Sequence, residues 1–434
     1  MRAAQKHPTA IKLEPLLKFT QKHMCQTPRE KLLHLCDQNR GPSLLSRIVH
    51  DTTPVLAGKS LGRMNRTMLR QLLPIIDDMG NYDSIDLHAW LRHAITVVST
   101  NATYGNLNPF QNRHIEDTFW ELERNVALLL ANIVPWLVAP KTWRARKRLC
   151  AAFKDYFDLA GYEDGSDLLA MRYRSFLRAG LTHGEIAYAE VHLIVGLLTN
   201  TVPAAFWVHF ELFSRAKLLE EIRGEVEQNA LNVAPDGTHI IDSGYLRDYC
   251  PLLLSTYQEV LRMRTTMVTI RFVTQDVVLA DNYFLRSGSM LFMPAKQLGR
   301  HQSAWGTSAD GFDGRRFLRS TKTIDDNGHK KKDPRRTGGF MAFGVSPTIC
   351  PGRHFSTSEI LPLVAMIALR YDIDIAPVGR LWRAPPRTKS ATTSNMSPVE
   401  GRFPLTLKKR QNEQSMDLDH YCVWGKSRRR IVNC

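Results

Sequence analysis

Between Thr182 and Phe213 the chain reads THGEIAYAEVHLIVGLLTNTVPAAFWVHFELF, apolar on most faces of any helix drawn through it. Thr182, with Glu185 three residues on, forms a capping box that marks where the helix starts. A helix apolar on most faces belongs in an interior, so other helices have to enclose it. The neighbouring segments supply them. HIEDTFWELERNVALLLANI and APKTWRARKRLCAAFKDYFDL before it repeat apolar residues at three-to-four spacing, and SRAKLLEEIRGEVEQNAL and YLRDYCPLLLSTYQEVLRMR continue as helices after it. The texture then changes. TMVTIRFVTQDVVLADNYFLRSGSMLFMPAK is rich in β-branched and aromatic residues broken by turn residues, which predicts a few strands and a hairpin. A charged loop covers 319–339, a helix runs through STSEILPLVAMIALR, and YDIDIAP and GRFPLTLKKR read as closing strands. The expected fold is mainly α with a small β region late in the chain. Without βα alternation or a GxGxxG turn, a dinucleotide-binding sheet is a poor reading.

The chain has 434 residues, enough for a large core. Its seven cysteines are scattered singly with no CxxC pair, which excludes a disulfide scaffold and argues against a zinc site. The net charge of +16 raises the question of a polyanionic partner. The basic runs, however, sit at Lys330–Lys332 with Arg335 and Arg336, at Lys408–Arg410 and at Arg428–Arg430, none interleaved with aromatics on a nucleic-acid-binding module. A solvated basic surface is the plainer reading, followed by an acidic protein partner or anionic lipid. No segment reads as a signal peptide or a membrane-spanning helix; ALLLANIVPWLVAP is too short and is interrupted by Asn132 and Pro135.

Three places carry candidate chemistry. In FMAFGVSPTICPGRHFS, Cys350 precedes Pro351-Gly352 and a helical segment, so the helix N-terminus would stabilise a thiolate there. That suits a soft axial ligand for iron; the plainer reading is a buried free cysteine. In QEVLR, Glu259 and Arg262 stand three apart on one helix face and can pair, with Arg316 in FDGRRFL as a third member. In LLTNTVPAAFW, Asn200 and Thr201 interrupt an apolar run, and Pro203 removes a helix hydrogen bond and is expected to kink the helix. This makes a polar notch for water or dioxygen; alternatively, the Thr201 hydroxyl bonds back to its own helix.

Together, in this order, these elements resemble the cytochrome P450 family. FGVSPTICPGRHF is similar to its haem-thiolate loop, EVLR to its ExxR helix and FDGRRF to the segment that completes that network. NTVPAAFW resembles the oxygen-side helix of the branch containing sterol 7α-hydroxylases, prostacyclin synthase and fungal secondary-metabolism monooxygenases. The resemblance implies a haem held by Cys350, with Phe343, Gly344, Gly352, Arg353 and the propionate contact Arg271 around it. It implies catalytic roles for Thr201 and Asn200 and a structural network of Glu259, Arg262 and Arg316. It also implies dioxygen, a lipophilic terpenoid- or steroid-like substrate, and electrons from NADPH through a cytochrome P450 reductase. The implied location is the cytosolic face of the endoplasmic reticulum membrane, with peripheral contact through VALLLANIVPWLVAP.

The chain departs from the pattern at several positions. Asn200 stands where an acid is frequent, Ser346 where Gly is usual, Thr348 where a basic residue is common, and Arg315 where an acid is usual; Pro362 lies inside the helix after the cysteine. The expected division is an atypical or truncated segment at 1–54, a haem-thiolate domain at 55–410 and a disordered basic tail at 411–434. Two rival functions follow: a haem-thiolate isomerase or dehydratase needing no external electrons, and an inactive truncated relic.

Overall fold

The computed structural model describes residues 2–39, 41–131, 133–233, 235, 239–318, 339–345, 348–376, 381–385 and 394–410. The principal helices, in chain order, are α1 (Glu14–His23), α2 (Arg29–Cys36), α3 (Leu44–Val55), α4 (Gly58–Met79), α5 (Leu87–Tyr104), α6 (Arg113–Arg124), α7 (Pro140–Asp158), α8 (Asp167–Arg178), α9 (His183–Phe213), α10 (Ala216–Asn229), α11 (Pro251–Arg264) and α12 (Arg353–Arg370). The fold is mainly α, with several small antiparallel sheets.

The capping box at the start of α9 is formed: Thr182 Oγ1 accepts from the Glu185 N–H at 3.4 Å, and Glu185 Oε2 accepts from the Thr182 N–H at 2.7 Å. From there α9 is enclosed by α5, α7, α11 and α12, while α4 packs on α5 and α6 on α7. Of the described helices, α9 is the one long and apolar enough to cross a membrane, but it is mostly buried in protein and serves as the core helix. It continues through Pro203, so the interruption expected there is confined to the Thr199 carbonyl, which loses its usual partner.

Besides an antiparallel pair formed by Leu231–Val233 and His239–Ile241, the strands are β1 (Ile11–Lys12), β2 (Ser84–Asp86), β3 (Val268–Val273), β4 (Val277–Leu279), β5 (Tyr283–Leu285) and β6 (Met290–Pro294). They are followed by β7 (Gly344–Val345), β8 (Thr348–Ile349), β9 (Tyr371–Ile375) and β10 (Pro404–Lys409). One sheet has the order β1-β3-β6, with Ile11 opposite Val273; another has the order β9-β10-β2, with Leu405 opposite Ile85. β4–β5 and β7–β8 are hairpins.

Residue 54, the expected end of an atypical segment, falls inside α3, and the residues before it are integrated into the fold. Met24, Cys25, Leu35 and Ile48 belong to the main core, β1 covers one edge of β3, and Lys31 pairs with Glu185 at 2.5 Å. Full burial of each of the aliphatic side chains there contributes about 1.5–3 kcal/mol before chain entropy is counted. The basic runs at 330–332, 335–336 and 428–430, Ser346 and the 411–434 tail lie outside the described residues.

Candidate functional site

Cys350 sits where a hairpin hands over to a helix. Val345 faces Thr348 across β7–β8, and the Cys350 N–H donates to the Phe343 carbonyl at 2.8 Å. Gly344 adopts φ +83°, a left-handed backbone that glycine accepts without Cβ strain and that lets the chain reverse here. On the far side Gly352 is the N-cap of α12, and its backbone N–H donates to the Cys350 thiol. Phe343, half-buried, packs against the main core.

Cys25, Cys150 and Cys250 are buried, whereas Cys350 is exposed. Yet burial is the largest influence on the Cys350 thiol and pushes its pKa up, against the Gly352 N–H and the Arg353 charge. Cys350 thus keeps accessible surface while the protein mass around its thiol disfavours the charged form.

Two guanidiniums flank this loop. Arg271 on β3 is buried and donates to the Ile270 carbonyl at 2.9 Å and to the Val345 carbonyl at 3.3 Å; burial pulls its pKa down. Arg353 donates to the Cys350 carbonyl at 3.1 Å, while its Nε is buried without a partner. Neither makes an ion pair among the described residues. A soft thiol, two guanidiniums without an ion pair among the described residues, of which Arg271 feels the Glu14 carboxylate, and an orphaned buried N–H suit a haem, which brings a metal for sulfur and carboxylates for guanidinium. Thr348, half-buried on β8, supplies no charge.

Glu259, Arg262 and Arg316 come together. Arg262 donates Nε to Glu259 Oε2 and Nη2 to Oε1, both at 2.7 Å, and both side chains are fully buried. Arg316 Nε reaches both carboxylate oxygens at 3.1 and 3.2 Å. The remaining donors of Arg262 reach the carbonyls of Gly299 (2.5 Å), Ala309 (2.6 Å) and Gly311 (3.1 Å), and the Asp313 N–H adds a bond to Glu259 at 3.0 Å. Sequence inspection missed these backbone partners, because a carbonyl carries no residue-type signal. Arg315 turns outward and pairs with Glu221.

The notch on α9 differs from the expectation in its hydrogen bonding. The Thr201 hydroxyl donates to the Leu197 carbonyl at 2.7 Å, as a threonine inside a helix can. Asn200 Oδ1 instead accepts from the Asn395 N–H at 2.6 Å, tying α9 to the chain before β10. Pro362 is accommodated inside α12. A separate cavity of about 450 Å³ lies against Thr199, Val202 and Pro203, with His88, Arg92 and Trp120 opposite; neither Cys350 nor Thr201 lines it.

A helix-dominated fold with an accessible cysteine at a helix N-terminus, a buried Arg271 and a half-buried Arg353 beside it has the features of a haem-thiolate class of protein. Comparison with known proteins agrees: the cytochrome P450 family model matches residues 59–397. A cytochrome P450 monooxygenase named nodJ from Hypoxylon pulicicidum is 34% identical over 89% of this chain and 75% of its own length. A cytochrome P450 monooxygenase from Gibberella zeae is 28% identical, and the chain spans 66% of it. The 25-hydroxycholesterol 7-alpha-hydroxylase of Rattus norvegicus is 22% identical over 77% of this chain and 84% of its own length. This chain belongs to the cytochrome P450 family.

Proposed function

We propose that this protein is a haem-thiolate monooxygenase that inserts oxygen into a lipophilic small molecule of terpenoid- or steroid-like shape. The observation that carries the reading is Cys350, an accessible cysteine with a desolvated thiol at a hairpin-to-helix junction. Cys350 would hold the iron, Phe343, Gly344 and Gly352 would shape the loop around it, and Arg271 and Arg353 would hold the carboxylates of the haem. Haem bound there supplies dioxygen activation, and a cysteine thiolate on the iron favours O–O cleavage.

The chain's own groups do the rest. The Gly352 N–H and the positive charge of Arg353 favour the thiolate over the thiol. The buried Glu259–Arg262–Arg316 cage fixes α11 against the 299–316 segment. Thr201 donates to Leu197 and retains acceptor capacity for a water proton. The Asn200 amide nitrogen, which bonds no described residue, can donate to dioxygen or water.

Burial, then the charges of Arg353 and of Arg247, the latter paired with Asp248 at 2.7 Å, lower the His354 pKa. Arg353 beside the cysteine and the chain's net charge of +16 suit an acidic flavoprotein reductase delivering electrons from NADPH, with association that weakens as salt rises. Ile133, Val134, Trp136, Leu137 and Val138 stand exposed between α6 and α7, with Ile133 at 68% and Leu137 at 73%. This apolar tip supports peripheral contact with a bilayer, consistent with a place on the cytosolic face of the endoplasmic reticulum.

A second reading, an isomerase or dehydratase using no external electrons, draws on Asn200, which cannot ionise to relay protons. The test is a reduced, carbon-monoxide-bound difference spectrum followed by turnover with and without reductase and NADPH. A Soret band at the thiolate position and NADPH-dependent product are expected. No band in folded protein overturns the haem-thiolate reading, and turnover without NADPH selects the second.

A further inference from the structure

Among the described residues the buried arginines are Arg146, Arg223, Arg262 and Arg271. Arg262 faces Glu259, and Arg223 pairs with Glu220 at 2.5 Å and with Asp372 at 2.7 Å. Arg271 stands beside the cysteine loop, where it bonds the Val345 carbonyl. Arg146, on the buried face of α7, has no comparable account. It is 2% exposed and makes no ion pair with a described residue.

Its single hydrogen bond runs from Nη1 to the His23 carbonyl at 3.4 Å, beyond the usual range. Nε is buried without a partner, and Nη2 donates to no described residue. The Tyr188 ring lies 5.8 Å from the guanidinium. The ionisable groups that Arg146 feels are Tyr188, Cys150 and Cys25. Burial raises the pKa of all three, to about 12 for each thiol, so all are uncharged at neutral pH. A guanidinium cannot shed its proton to escape. A full positive charge is therefore held in the interior with nothing to balance it, an arrangement among the costliest a fold can keep.

We propose that Arg146 is a specificity-determining residue that binds the carboxylate of a lipophilic acid, the substrate of this protein. Arg262 shows the geometry within the same molecule: its Nε and Nη2 edge holds both oxygens of Glu259 at 2.7 Å. The same two-donor edge of Arg146 bonds no described residue, and it matches a carboxylate. One unanswered positive charge takes one negative charge. A phosphate, with a charge of about −1.5 to −2, would leave an excess of negative charge in the same interior. The rest of the ligand is apolar, because the residues around the guanidinium are. Met24 and Cys25 follow His23, Leu149 and Cys150 lie one turn along α7 on the face of Arg146, and all four are buried. The inference rests on the monooxygenase reading and narrows its substrate to a terpenoid- or steroid-like acid.

The experiment compares two tricyclic terpenoid probes that share a skeleton, tritium-labelled abietic acid and abietinol, by equilibrium dialysis against the full chain at neutral pH. The wild-type protein is expected to bind the acid about ten- to a hundredfold more tightly, the worth of charge-assisted hydrogen bonds. Arg146→Met should bring that ratio to about one. Arg146→Lys, which keeps the charge without the two-donor edge, should retain part of it. Thermal unfolding separates this role from a structural one. Ligand-free Arg146→Met, rid of an uncompensated charge, should unfold at a higher temperature than the wild type, and abietic acid should stabilise the wild type alone. A wild-type protein that shows no preference or binds neither probe overturns the proposal. So does a preference that survives Arg146→Met, or a ligand-free Arg146→Met that is less stable than the wild type or does not fold. Dialysis does not need reduced iron, so its failure is separable from failure of the haem-thiolate reading, which stands or falls on the carbon-monoxide spectrum.

Discussion

Two polar regions of the same molecule are built in opposite ways. Around Glu259 each oxygen of the carboxylate accepts from a guanidinium, and Arg262 is bound on its remaining sides by three backbone carbonyls. Along the exposed stripe of α9, His192 hydrogen-bonds no described residue and a Cβ built on Gly196 meets nothing within 4 Å. The first region commits its charge to holding the fold. The second leaves donors, acceptors and volume open, which is what a ligand site requires. Burial alone therefore does not separate structural from functional polar groups; what separates them is whether their hydrogen bonds are already made.

The largest expected effect comes from breaking the closed region. Glu259→Gln removes the charge that the buried Arg262 and the half-buried Arg316 face and should destabilise the protein by about 3–5 kcal/mol, read by denaturant unfolding. A loss below 1 kcal/mol would mean that the cage is ornamental.

Glu359 on α12 lies between the two cases. Ser99 donates to its Oε1 at 2.5 Å, while its Oε2 is buried without a partner. Burial pushes its pKa up from 4.5 to about 8. The folded state therefore keeps a proton that the unfolded state has released between those values. Stability should fall as pH rises from about 4.5 to 8, by up to about 1.4 kcal/mol per pH unit, and level off above that. Glu359→Gln should flatten this slope, measured as unfolding free energy across the window; an unchanged slope would clear Glu359.

On the open side, Thr201→Val removes the hydroxyl at near-constant volume. It should cost about 0.5–1.5 kcal/mol of stability through the lost Leu197 bond. It should also raise the fraction of consumed oxygen released as peroxide. Unchanged coupling would assign Thr201 to the closed, structural class. The narrowest effect expected is at the start of α9, where Thr182→Ala should cost about 1 kcal/mol in thermal unfolding and leave coupling untouched.

What was legible in the sequence follows the range of the interactions. The start of α9 and the Glu259–Arg262 pair were readable because their partners are three residues apart. The cysteine loop was readable because residue types at short fixed spacing define it. The α9 stripe was not: a glycine and a histidine in an apolar run carry no pattern until the other faces are known to be covered. The partner of Asn200 is the backbone of Asn395, Ser99 meets Glu359, and Ile11 faces Val273. Each pairing joins residues more than a hundred positions apart, where local periodicity has no reach. The Thr201 hydroxyl shows the reverse failure, since its local partner was the plainer alternative and is the one formed.

The central claim is that Cys350, unlike the buried Cys25, Cys150 and Cys250, faces the space in which haem is held. The most direct measurement is the reduced, carbon-monoxide-bound difference spectrum of Cys350→Ala beside Cys150→Ala, both purified as folded protein. The account predicts that the thiolate Soret band is lost in Cys350→Ala and kept in Cys150→Ala; a band that persists in Cys350→Ala would contradict it.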